Sequence, residues 1–242
     1  SILDQQLAIA SNAGYEITLA LGRKVPRWPE YHDPEWTKHI SDAAFENHYL
    51  DYLTAMLELY GTAKRITYIQ LENEPFLSFG QTIRPLTKPF FLKELRHVRS
   101  LTNKAIILTE SGELRDWKTV AHYADRVGVN VYTTTYDGQK QKYHYSDHDE
   151  KYYKRKIDTL HKKVFIAELQ AEPWGPFHVK DLSIAESHKS MNSKMLKNNV
   201  TIARNTPISE VWFWGTEWWY FVRTQDPTIL STAKYIVNTS QH

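Results

Sequence analysis

Two glutamates in this sequence stand where carboxylate chemistry needs them. Glu74 follows the run Ile66-Thr67-Tyr68-Ile69-Gln70-Leu71-Glu72-Asn73 and precedes Pro75. Glu168 closes Val164-Phe165-Ile166-Ala167, with Pro173-Trp174-Gly175 just behind it. Each ends a β-branched, apolar stretch that a proline turn soon terminates, and in α/β folds that end of a strand is where ligands bind. Two such carboxylates can divide the work of cleaving a glycosidic bond. One attacks the anomeric carbon; the other protonates the leaving oxygen and then activates water. Retaining enzymes hold the pair about 5–5.5 Å apart. Taken singly, a strand-end glutamate also fits a plain ion pair with a nearby arginine. Equivalent positions three strands apart weaken that simpler account.

The elements that must carry these residues follow from periodicity. Residues 2–13 have Leu3, Leu7 and Ala10 at helical spacing before Gly14. Residues 15–21 (YEITLAL) read as a buried strand that breaks at Gly22. Asp42 is placed to cap a long helix with the stripe Phe45, Tyr49, Leu53, Met56 and Tyr60. After the strand at 66–72, Thr87 and Pro89 open a helix with Phe91, Leu95 and Val98 on one face. Strands are expected at 105–109, 127–132, 164–168 and 210–214. Between them, helices are marked by Trp117, Val120, Ala121 and Ala124; by Tyr153, Ile157 and Leu160; and by Met191, Met195 and Ile202. A polar loop containing Gly138 is expected after residue 132, and a closing helix carries Ile229, Ala233, Ile236 and Val237. Six strands alternating with helices predict a parallel sheet covered on both faces. Carboxylates, prolines and tryptophans recur after several strands rather than at one switch point, which favours a TIM-type (β/α)8 barrel over a doubly wound sheet.

The chain has 242 residues and a formal charge of +2. That length suits one α/β barrel domain spanning 1–242, and the near-neutral charge gives no reason to expect nucleic acid as a partner. No apolar run approaches the roughly 20 residues of a membrane span, so no membrane partner is expected. Without cysteine there is neither a disulfide framework nor a thiolate metal site. His144 and His148 lie four apart beside Asp147, Asp149 and Glu150, but a solvated loop explains them better than a metal. No cofactor or metal is implied, because two carboxylates of different pKa suffice for the reaction. Nucleotide and hydrolase signatures such as GxGxxG, GxxxxGK, GxSxG and HExxH are missing. Asn199-Val200-Thr201 and Asn238-Thr239-Ser240 match glycosylation triplets, a pattern too common to place a protein. The aromatic excess of 8 Trp, 15 Tyr and 9 Phe fits either a core or the floor of a sugar groove.

Taken in order, ENEP at one strand end, VGVNVY, AELQAEPWG at another and VWFWG at the last resemble glycoside hydrolase clan A. The look is that of its cellulase-like members, similar to family 5. The resemblance implies a (β/α)8 barrel whose acid/base and nucleophile sit on strands four and seven, here Glu74 and Glu168. It further implies that Asn73 bonds the sugar 2-hydroxyl, that Tyr132 orients the nucleophile and that Trp214 floors the subsite of the cleaved sugar. An oligo- or polysaccharide substrate, β-glucan or β-mannan, is expected; the alternative is a non-catalytic carbohydrate-binding barrel or an inactive fragment. If residues 66–72 form strand four, the chain supplies strands three to eight. A preceding segment, or else pairing with a second copy, is then expected to complete the barrel. Around the mouth, Trp28, Trp174, Trp218 and Trp219 are candidates to stack on sugars, and Glu217 and Gln170 to bond their hydroxyls. Glu72 is expected to point into the barrel with Glu74. Glu30 and His32 are placed at a more distant subsite.

Overall fold

A computed structural model describes residues 1–239. The fold is α/β. Its main sheet has the strand order Ile17–Leu21, Ile66–Leu71, Ala105–Ser111, Arg126–Val131, Val164–Gln170, Val211–Trp214, an incomplete (β/α)8-type arrangement of about six βα units. The chain divides into two compact units, Ser1–Glu110 with Trp117–Val127, and Ser111–Asp116 with Gly128–His242.

The first unit contains α1 (Ile2–Asn12), β1 (Ile17–Leu21), α2 (Asp42–Tyr60), β2 (Ile66–Leu71), α3 (Lys88–Leu101), β3 (Ala105–Ser111, its last residue in the second unit) and α4 (Lys118–Tyr123). β1 runs parallel to β2 with Leu21 opposite Leu71, and β2 runs parallel to β3 with Ile69 opposite Ile106. Their aliphatic side chains are the core: Ile69, Leu71, Ile106, Ile107 and Leu108 are fully buried. Each such side chain contributes about 1.5–3 kcal/mol relative to exposure. Ser41, not Asp42, caps α2, by accepting from the Ala44 N–H. The buried stripe of α2 is Phe45, Tyr49, Leu53 and Leu57. Leu57 replaces the expected Met56 because four-residue steps from Phe45 land on it. Thr87 caps α3, whose buried face holds Phe91, Leu95 and Val98 as expected, together with Glu94.

The second unit contains most of β4 (Arg126–Val131), then β5 (Thr134–Asp137), β6 (Lys142–Tyr145), α5 (Glu150–Ile157), β7 (Val164–Gln170), α6 (Ile184–Ser187), α7 (Ser193–Arg204), β8 (Val211–Trp214), α8 (Glu217–Phe221) and α9 (Pro227–Thr239). β7 and β8 are parallel, with Gln170 opposite Trp214. The stretch expected as a polar loop is an antiparallel hairpin, β5 against β6, with Tyr136 opposite Tyr143. Their rings meet at 5.1 Å. The alternating tyrosines pair across the hairpin and outweigh the polar residues between them. α7 buries Leu196, Asn199, Val200 and Ala203 rather than the Met195 and Ile202 face. Asn199 explains the rotation: its amide donates to the Gln170 carbonyl at 2.9 Å, and its oxygen accepts from Thr133 Oγ1 at 2.7 Å. Asn199 is thus a fully buried structural residue and no glycan acceptor in the folded chain. The second triplet extends to Ser240, outside the described residues.

No helix among the described residues is long and apolar enough to cross a membrane.

Candidate active site

In the first unit, β2 ends at Leu71 and the backbone then turns sharply. Glu72 has φ 58° and Glu74 has φ 46°. Left-handed conformations cost non-glycine residues about 1–2 kcal/mol each, so the surroundings must impose them. Oxygens of the Glu72 carboxylate accept from the backbone N–H groups of Arg23 (3.0 Å) and Lys24 (2.7 Å) and from the Tyr49 phenol (2.9 Å). Asn73 N–H donates to the Lys24 carbonyl at 2.6 Å. Gly22 leaves the room this requires, since a Cβ there would sit 2.8 Å from the Glu72 carboxyl carbon. Glu72 is therefore buried and fastens the loop after β1 to α2. Strand alternation cannot be carried past Leu71, because the strand has ended.

Asn73 and Glu74 are held from β3 and from the loop after β1. Thr109 Oγ1 accepts from the Glu74 N–H at 3.0 Å and donates to Asn73 Oδ1 at 2.9 Å. Asn73 Nδ2 donates to Glu30 Oε2 at 3.1 Å. Glu30 thus sits directly against Asn73 rather than at a distant subsite, and burial raises its pKa while the Asn73 amide opposes the rise. Lys24 is fully buried, and its ammonium donates to the carbonyls of Glu74 (2.9 Å) and Leu77 (3.0 Å). Burial lowers its pKa, opposed by the charges of Glu74 and Glu30. Neither Lys24 nor Thr109 was signalled by spacing; both reach the site through contacts distant in sequence. His32 bonds the Arg27 carbonyl at 3.0 Å. Trp28 is exposed, its ring 5.5 Å from that of Phe79.

In the second unit, Tyr132 just past β4 donates its phenol to Glu168 Oε2 at 2.5 Å. Glu168 is buried near the end of β7. Trp174 packs on Tyr132 with ring centroids 5.3 Å apart, and its carbonyl accepts from Ser190 Oγ at 2.5 Å. Tyr132, Glu168 and Trp174 are thus brought together in this unit. Gln170 is committed elsewhere: its amide exchanges bonds with the Thr134 backbone at 3.0 and 2.7 Å. Trp214 ends β8 partly exposed, and its carbonyl accepts from the Ala171 N–H at 3.0 Å. Gly215 has φ 86°, and a Cβ there would lie 2.3 Å from Glu172 Cγ, so Glu172 packs down on this turn.

Glu217 is exposed in the first turn of α8. Trp218 and Trp219 are buried, with 2% and 6% exposure, and Trp219 Nε1 donates to the Ala171 carbonyl at 2.8 Å. They are core anchors and offer no face to a sugar. His148 lies on Tyr152 at 3.8 Å between centroids and bonds Ser146, and the described residues contain no His/Cys/Asp/Glu group arranged for a metal.

No protein-family model matches the sequence, and a search of curated proteins finds no match. Solved structures do share the fold. A β-galactosidase from Marinomonas ef1 superposes with TM-score 0.55 at 14% identity, covering 88% of this chain and 46% of that one. A GH2 β-galacturonidase from Eisenbergiella tayi gives 0.52 at 13%, covering 85% and 34%. The GH113 β-mannanase AaManA from Alicyclobacillus acidocaldarius gives 0.51 at 13%, covering 98% and 77%. The chain thus spans less than half the length of the first two. The likeness shows a fold shared with these glycosidases and does not single out family 5.

Proposed function

We propose that this chain is a retaining β-glycoside hydrolase, with residues 1–242 acting as one catalytic domain and Glu74 and Glu168 as its carboxylates. The observation that carries the reading is the short bond from the Tyr132 phenol to Glu168. A strand-end carboxylate that accepts a short bond from a phenol, beside the indole of Trp174, suits a nucleophile that must meet an anomeric carbon in one orientation.

Glu168 attacks C1 while the glycosidic C–O bond breaks and Glu74 gives its proton to the departing oxygen. In the second step Glu74, now a carboxylate, takes a proton from water as that water attacks C1 and releases Glu168. Asn73 is assigned to the sugar 2-hydroxyl, Trp214 to the floor under the cleaved sugar, and Trp174, Trp28 and Glu217 to flanking sugar units. The substrate class is a β-linked glucan or mannan, handled in the manner of cellulase-like enzymes. The β-mannanase among the similar folds supports keeping mannan on that panel.

The test uses aryl β-glycosides and β-glucan and β-mannan polysaccharides. Glu168→Ala should lose turnover and regain it with azide, giving a glycosyl azide of inverted configuration. Undiminished turnover in Glu168→Ala or Glu74→Ala overturns the assignment.

A further inference from the structure

The loop after β3 carries a third carboxylate that the scheme above does not use. Glu113 is partly exposed as a residue, but its carboxylate end is enclosed. The phenol of Tyr153, from α5, donates to Glu113 Oε1 at 2.5 Å, and the backbone N–H of Tyr132 donates to the same carboxylate group. α5 clamps the loop around it. Tyr152 donates its phenol to the Glu113 carbonyl at 3.0 Å, and the Lys156 ammonium donates to the carbonyls of Gly112 (2.6 Å) and Arg115 (2.7 Å). Gly112 N–H donates to the Asn130 carbonyl at 2.7 Å, tying the loop to β4. Tyr132 follows directly on β4, and its N–H meets the Glu113 carboxylate.

We propose that Glu113 is a positioning residue, a carboxylate that holds the backbone of Tyr132 and, through the Tyr132 phenol, the orientation of Glu168. The proposal rests on Glu168 being the nucleophile only for its effect on turnover. Ionised Glu113 accepts strongly from an amide; the neutral acid does so weakly. Burial pushes its pKa up to about 7, against the pull of Tyr153, Lys156 and the Tyr132 amide. The titratable groups packed around it are Tyr152, Tyr153 and Lys156 of α5, with His148 stacked on Tyr152. Burial raises the pKa of both phenols above its ordinary value, so Tyr152 and Tyr153 stay neutral where Glu113 titrates.

Glu113→Gln is the isosteric mimic of the neutral acid, and Tyr153→Phe removes the second partner while sparing the carboxylate. In the wild-type protein the Tyr132 amide proton, followed by nitrogen–proton correlation spectra, should move downfield on a titration centred near pH 7. Glu113→Gln should abolish that titration, Tyr153→Phe should displace its midpoint, and the carboxyl carbon of Glu168 should titrate at a different pH in Glu113→Gln. On an aryl β-glycoside at pH 8, Glu113→Gln should lower kcat roughly tenfold with KM unchanged, and the gap from wild type should close below pH 6. A Tyr132 amide that does not titrate, one that still titrates in Glu113→Gln, or an unchanged kcat in an active enzyme overturns the proposal. The spectra need no turnover. A chain that hydrolyses nothing while its Tyr132 amide titrates through Glu113 therefore refutes the glycosidase reading and keeps the positioning role.

Discussion

The Tyr132 phenol oxygen and Glu168 Oε2 lie 2.5 Å apart, joining the residue just past β4 to the residue near the end of β7. A bond that short to a buried carboxylate is charge-assisted. It fixes the rotamer of Glu168.

Tyr132→Phe should therefore keep the fold and lose turnover. A hydrogen bond to a charged group is worth about 1.5–3 kcal/mol, so kcat should fall roughly ten- to a hundredfold. KM for small aryl glycosides should hardly move. Steady-state kinetics beside a thermal melt separate this from simple destabilisation.

Thr109→Val tests how Asn73 and Glu74 are held. The change preserves shape but removes the acceptor of the Glu74 N–H and the donor to Asn73 Oδ1. Leaving such buried groups unsatisfied costs about 1–3 kcal/mol. Chemical denaturation should show that loss, and kcat should fall with it.

Glu94 predicts a pH dependence of stability. It is fully buried on α3 with neither carboxyl oxygen hydrogen-bonded, and burial, aided by Glu72 and opposed by Arg23, pushes its pKa well above the ordinary 4.5. The folded protein thus holds this proton more tightly than the unfolded chain. Its favourable contribution is complete below the unfolded value and is lost as pH rises toward the folded one. Glu94→Met should raise stability by about 1–3 kcal/mol at pH 8, and the gain should shrink toward pH 4. Denaturant midpoints at the two pH values check both the sign and the slope.

Much of this architecture is legible in the sequence where one local period dominates. The α3 face of Phe91, Leu95 and Val98 and the strand ends that deliver Asn73, Glu74 and Glu168 are such cases. Legibility fails where a polar group does structural work at long range. Asn199 rotates the buried face of α7 because its amide satisfies the Gln170 backbone. Glu72 turns toward Tyr49 because positive φ ends the strand alternation. Glu30 reaches Asn73 across 43 residues of sequence, and no spacing rule encodes that contact. The tyrosine hairpin of β5 and β6 was obscured by the lysines and glutamines of its turn, although its period of two was present throughout. Trp218 and Trp219 follow a sugar-groove composition and serve the core instead.

The most direct test of the central claim is covalent capture of the nucleophile. A 2-deoxy-2-fluoro β-glycoside with a good leaving group slows the second step and lets the glycosyl-enzyme accumulate. Proteolysis and mass spectrometry should then find one fluorosugar per chain, esterified to Glu168, with Glu74→Ala still labelled by this activated reagent. A label on any other residue, or hydrolysis of the parent glycoside with no label at Glu168, would contradict the account.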